Sequence, residues 1–445
     1  MILVNPGPLM WSQAPTTQDP HFRAIGSRDE LCNVDTSVRA HRTTGRALAL
    51  AILMVALQGC AATIVRHGID NAEVASRAVV SGLPGVRFWG DETPGDVRAA
   101  IKDRLPFIEN LAHRPGTAAK RGGGTLLVET LALSGGGQDG AFGAGLLTGW
   151  SERGDRPQFE IVTGVSAGAM IAPFAFLGAS YDPQLKEIWT KYQTSQLVTP
   201  QLLPGLLGGT SLVDTSQLTQ LLENYIDAKL LHAVAAEYRK GRILMIGTTN
   251  LDAQRPVVWN MGAIATSGHK DALTLFRKVI LASSAIPGAF PPVPIEVEVD
   301  GKRYDELHVD GGTTREVFTT AVQAPYSELD KLYPRKPVRR LYIVKNGKIS
   351  PESTVVKAQT LSIASRAINT LLKSQHMGDI YRIYRTAKDG GADFNLIAVP
   401  DSFSVKGKEF FDPAYQKALF EEGRRIGKAG GPWLKSPPLI HGNGP

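Results

Sequence analysis

Residues 161–170 read IVTGVSAGAM. Two β-branched residues, Ile161 and Val162, run into Gly164-Val165-Ser166-Ala167-Gly168, and a small, apolar run continues to Phe176. Strand, sharp turn and helix in that order form the setting of a nucleophile elbow. Gly164 and Gly168 permit a reversal tight enough to present the Ser166 hydroxyl at the top of a sheet. A helix starting just after Ser166 aims its positive dipole at an oxyanion forming there. A second stretch, Gly135-Gly136-Gly137-Gln138-Asp139-Gly140, lies between a predicted strand and helix, where glycine amides can converge on an anion. Its spacing also fits a dinucleotide fingerprint, which needs an acid at the end of the next strand; Glu160 sits near that strand's start instead. A third, Asp310-Gly311-Gly312, falls at a predicted strand end, where parallel sheets place catalytic groups. No histidine sits in a triad motif. His308, two residues before Asp310, shares its face of a strand and is the alternative base.

The elements that must position these residues alternate. Strands are predicted over residues 126–133, 159–163, 242–249, 303–309, 340–344 and 394–399. Helices are predicted to follow the glycine turn as far as Trp150, to run amphipathically over 181–240, and to span 273–284, 353–376 and 412–427. A Pro/Gly-rich interruption at 200–209 suits a flexible lid. Upstream, residues 96–111 form the best helical stretch of a lead-in that ends in the linker 121–124. Strands alternating with helices imply an α/β fold of three layers, α/β/α, around a mainly parallel sheet.

A chain of 445 residues with 43% hydrophobic and 20% charged content has ample material for a globular core. Its net charge of +7 is spread along the chain with no dense Lys/Arg tract, which argues against nucleic acid and suits an anionic membrane surface. Near the amino terminus, Arg39, Arg42 and Arg46 precede the uncharged run 47–57, ALALAILMVAL, too short to span a bilayer. A basic segment before a short apolar one is the layout of a secretory signal. It ends in Leu57-Gln58-Gly59-Cys60, which resembles the lipobox of bacterial lipoproteins, with Cys60 the lipidated residue and Gln58 a departure from the usual small residue. The signal lies well inside the chain, which predicts that translation starts near Val38. Cys32 and Cys60 are the only cysteines, so neither a disulfide framework nor a zinc site is expected.

Four motifs in order, LALSGGGQDGAFGAGLL, GVSAG, ASSAIPGAFPPV (282–293) and Asp310-Gly-Gly, together resemble the patatin-like phospholipase family over about residues 127–325. The resemblance implies a catalytic dyad of Ser166 and Asp310 without histidine, and an oxyanion hole from the amides of Gly135, Gly136 and Gly137. It implies a serine acyl hydrolase acting on lipid esters, of phospholipase A, lysophospholipase or esterase type, with no metal or other cofactor. An acyltransferase of the same fold and a silent envelope lipoprotein acting by binding are the alternatives. Gln138-Asp139 stands where many members carry Arg or Lys, implying a weaker pull on anionic headgroups. The expected organisation is a signal segment (1–59), a lead-in and linker (60–124), the hydrolase domain (125–345) and a C-terminal α/β extension (346–445). Export and anchoring through Cys60, with the outer membrane preferred, complete the expectation.

Overall fold

The computed structural model describes residues 66–92, 105–106, 126–201, 209–320 and 324–438. The chain divides between residues 60 and 61, and all the described residues belong to the second unit, 61–445. The signal segment, Cys60, the linker 121–124, most of the helical stretch 96–111 and most of the lid 200–209 lie outside the described residues.

A ten-stranded sheet organises the second unit. Its centre is parallel. Strands β3 (Leu127–Leu133), β4 (Ile161–Gly164), β7 (Ile243–Asn250), β11 (Val338–Lys345) and β12 (Asp393–Ala398) run in the order β7-β4-β3-β11-β12. Every residue of β3 is buried, so helices cover both of its faces, as a parallel sheet requires. An antiparallel wing extends from β7: β8 (Arg255–Asn260) with β2 (Arg87–Trp89) beyond it, and β10 (Lys302–Asp310), β9 (Val293–Val299) and β1 (Val79–Val80) in succession. Strand β9, not among the strands predicted from the sequence, buries Val293, Ile295, Val297 and Val299 and turns the intervening residues outward in a period-two pattern. A separate two-stranded ribbon joins β5 (Thr199–Pro200) to β6 (Val213–Asp214).

The helices are α1 (Ala72–Arg77), α2 (Gly140–Arg153), α3 (Ala167–Leu177), α4 (Asp182–Lys191), α5 (Ser216–Tyr225), α6 (Ala228–Arg239), α7 (Met261–Thr266), α8 (Ala272–Ser283), α9 (Tyr326–Asp330), α10 (Thr360–Gly390) and α11 (Pro413–Ala429). Helix α10 starts later and ends later than the sequence predicts. Residues 353–359 are irregular, and the helix stops where Gly391 turns left-handed at φ 69°. Its second half packs Ile380, Ile383 and Ala387 beside β11 and β12. The C-terminal extension is not a separate unit. Residue for residue, β12 pairs with β11 from Arg340 to Lys345, and Leu419 and Phe420 of α11 belong to the main core.

Candidate active site

Strand β4 pairs with β7 only as far as Gly164, opposite Ile246. There the chain leaves the sheet and turns into α3. The edge of β7 that β4 vacates is taken by β10, which runs in antiparallel and sets Asp310 opposite Thr248. A Cβ on Gly311 would stand 3.0 Å from a Val165 methyl carbon, so the end of β10 lies against the turn that carries Ser166. Strand register therefore brings the second acidic candidate to the first nucleophilic one.

Ser166 adopts φ 52° and ψ −121°, a conformation that L-residues avoid unless their surroundings enforce it. Those surroundings are visible. The Ser166 amide donates to Ser283 Oγ at 3.0 Å, and that hydroxyl donates to the Gly247 carbonyl at 2.6 Å. The next residues of the same motif hold Asp310, whose amide donates to the Ala285 carbonyl at 2.9 Å. Gly168 has no room for a side chain, because a Cβ there would overlap the Leu133 carbonyl. Motif 282–293 is thus the brace that fixes nucleophile and carboxylate to one another.

The Asp310 carboxyl lies beside the Ser166 hydroxyl and accepts the Gly312 amide at 2.8 Å. Burial pushes its pKa up to about 6, against the pull of the Ser166 hydroxyl and the Gly312 amide. It is a far better proton acceptor than an ordinary aspartate of pKa about 3.9. His308 is not beside it in function: Nδ1 bonds Thr248 Oγ1 at 2.9 Å and Nε2 bonds Glu306 at 3.1 Å, so both ring nitrogens are occupied.

Of the three expected oxyanion donors, Gly135 is corrected. Its amide donates to the Glu316 carbonyl at 3.3 Å, because the chain after Asp310 returns alongside the glycine loop. Among the described residues, the amides of Gly136 and Gly137 have no such partner. They stand at φ 152° and 56°, which favours glycine, and a Cβ at Gly136 would overlap the Asn346 carbonyl. Asn346 locks this loop in place, donating from Nδ2 to the Ser134 carbonyl at 2.7 Å and accepting the Gly143 amide at 3.1 Å.

Sequence reasoning missed a cluster of charged groups behind the dyad. Glu316 lies across Gly312 from Asp310, and a Cβ on Gly135 would come 2.5 Å from Glu316 Oε1 and 3.1 Å from Ser166 Cβ. Burial raises the Glu316 carboxyl to about 8, offset by the Lys345 charge and reinforced by Asp310 and Asp379. Asp379 of α10 accepts the Glu316 amide at 2.8 Å and is itself raised to about 6 by burial. His376, one helical turn earlier, stands 3.8 Å from Glu316, its pKa depressed by burial and by Lys345 and Lys373. Asp139 is raised to about 6 by burial, with the Tyr415 hydroxyl donating to it at 2.7 Å. These residues come from four distant stretches of chain, and no local pattern links them.

Two spaces open from Ser166. A cleft of about 1650 Å³ is lined by Gly136, Gly137, Asp310, Lys345, Arg366 and Lys373 among others. A narrow slot of about 40 Å³ on the other side is apolar, walled by Met170, Trp189, Leu197, Leu218, Phe290 and Phe410. An ester carbonyl at Ser166 would meet both.

The model of the patatin-like phospholipase family matches residues 131–322, a segment that includes the elbow, the glycine loop, Asp310 and Glu316. Among solved structures, the crystal structure of VipD from Legionella pneumophila is similar at 11% identity over 68% of this chain and 67% of that one, with a TM-score of 0.32. No curated protein matches the chain.

Proposed function

We propose that the chain is a serine acyl hydrolase that cleaves carboxylic esters of lipids. One observation carries the reading: a strained Ser166 beside a buried Asp310, in one cleft with Gly136 and Gly137. Asp310 takes the hydroxyl proton as Ser166 Oγ attacks the ester carbonyl carbon. The amides of Gly136 and Gly137 and the amino end of α3 receive the negative oxygen, each donor in such a hole contributing about 3 kcal/mol. Collapse of the tetrahedral intermediate breaks the bond to the alcohol, which leaves with the proton held by Asp310. Water, deprotonated by Asp310, then releases the acyl group. The slot has room for only the first carbons of an acyl chain, so the larger cleft, walled by apolar as well as cationic side chains, takes the rest of the lipid.

Attachment of the mature chain to the bacterial envelope through a lipidated Cys60, with the outer membrane favoured, belongs to the same proposal and rests on the motif at residues 57–60. The catalytic part is tested by labelling with a fluorophosphonate. The wild type is expected to label, Ser166→Ala not at all, and Asp310→Asn at least about a hundredfold more slowly. A folded wild type that fails to label overturns the reading.

A further inference from the structure

The first turns of helix α10 are amphipathic with their apolar side outward. At about 100° per residue, Ile363, Ala364, Ala367, Ile368 and Leu371 share one half of its first turns, and Ser362, Arg366, Asn369 and Lys373 the other. Arg366, Asn369 and Lys373 line the cleft that holds Ser166, so the polar half borders that cleft. Ile363, Ile368 and Leu371 are 54%, 39% and 69% exposed, and Val355 just before the helix is 98% exposed. Single exposed apolar side chains are ordinary; a row of them on one helix face marks a surface that something covers.

The charge says what. From Ser353 to Gly378 there is no Asp or Glu, while Lys357, Arg366 and Lys373 are cationic. Lys373 is paired with Glu352 at 3.3 Å, which leaves Lys357 and Arg366 to set the local field. A second copy of the chain seated on this face by a twofold axis would bring like charges together. An anionic bilayer would not. A basic amphipathic helix of this kind lies in a membrane interface, and among the described residues no helix is long and apolar enough to cross one.

We propose that the first half of α10 docks the protein on an anionic lipid surface. Ile363, Ile368 and Leu371 sink among the acyl chains while Lys357 meets the headgroups and Arg366, whose guanidinium donates to the Glu352 carbonyl at 2.5 Å, adds its charge to the local field. Because the other face of the same helix walls the cleft, docking sets the cleft mouth at the surface from which a lipid ester must come. The choice of a bilayer as occupant rests on the lipid-hydrolase reading. Docking also supplies the cationic contact that Gln138-Asp139 does not.

The test is co-sedimentation of the full chain carrying Ser166→Ala, to prevent turnover, and Cys60→Ser, to prevent acylation. Vesicles of equal parts phosphatidylcholine and phosphatidylglycerol are expected to bind it, and phosphatidylcholine alone to bind it less. Adding Ile363→Ser, Ile368→Ser and Leu371→Ser is expected to weaken binding by at least about tenfold. Lys357→Gln with Arg366→Gln, which leaves the apolar row untouched, is expected to abolish the preference for phosphatidylglycerol. In the chain that keeps Ser166, the triple change is expected to lower activity on vesicle lipid and leave hydrolysis of a soluble short-chain ester unchanged. Equal sedimentation of parent and triple variant overturns the proposal, as does a dimeric parent that becomes monomeric in the triple variant without any change in vesicle binding. Vesicle binding without fluorophosphonate labelling leaves docking standing and removes the hydrolase; soluble-ester hydrolysis without vesicle binding does the reverse.

Discussion

In the proposed mechanism Asp310 must be charged to take the Ser166 proton, and a neutral Glu316 leaves the oxyanion unopposed. Burial raises both, and Glu316 keeps its proton to higher pH than Asp310, at about 8 against about 6. Below pH 6 Asp310 is protonated and cannot accept the serine proton. Above pH 8 Glu316 becomes a second anion close to Ser166, where it opposes the oxyanion. The pH profile of kcat/KM is therefore expected to rise through about 6 and fall through about 8, the two limbs belonging to the coupled pair. Glu316→Gln holds the neutral form permanently. It is expected to keep the acid limb and abolish the alkaline fall, with labelling at pH 7 within a few-fold of wild type. An alkaline limb that persists in Glu316→Gln would show that another group causes it. Lys345, His376 and Asp379 surround this pair, and none of them lies near it in sequence.

At the scale of elements, two arrangements decide the site. The first is the handover on β7, where β4 stops at Gly164 and β10 takes its place. Both strands were legible from their hydrophobic residues, and their pairing was not, since register depends on partners about 60 to 80 residues away. The second is the contact of α2 with α11. Gly145 and Gly149 of one helix and Gly423 and Gly427 of the other repeat at four-residue spacing, so each pair lines one face. A Cβ at any of the four would overlap a backbone carbonyl of the opposite helix, and this close seating holds the glycine loop at the start of α2. Gly145→Val and Gly423→Val are each expected to cost about 1–3 kcal/mol or more by overpacking. Urea denaturation measures this, and an unchanged midpoint in both variants would refute the close contact.

The whole second unit depends on its last hundred residues. Trp433 joins Trp150 and Tyr342 in an aromatic cluster, with ring centroids 5.2 Å and 5.3 Å apart. Without residues 346–445, β11 becomes an exposed edge, α2 loses its partner helix and the cleft loses one wall. A protein of residues 61–345 is expected to lack a cooperative thermal transition, whereas 61–438 is expected to show one. A sharp transition in the shorter protein would restore the boundary at 345 that composition suggests.

The sequence by itself determined the parts that are local. GVSAG specifies a strand, a reversal and a helix because glycine alone tolerates the approach of neighbouring backbone at 164 and 168. Likewise, the glycines at 136 and 137 specify open amides through their backbone angles. Those constraints act within a few residues, so Ser166, the glycine loop and Asp310 could be singled out from their neighbours, and the resemblance to a family supplied the roles expected of them. Only the tertiary structure decided that Gly135's amide is taken, that Glu316 shares the site with Asp310, and that α10 turns its apolar row away from the body. Each of these follows from which surfaces meet across the fold, and burial and charge coupling are properties of that meeting.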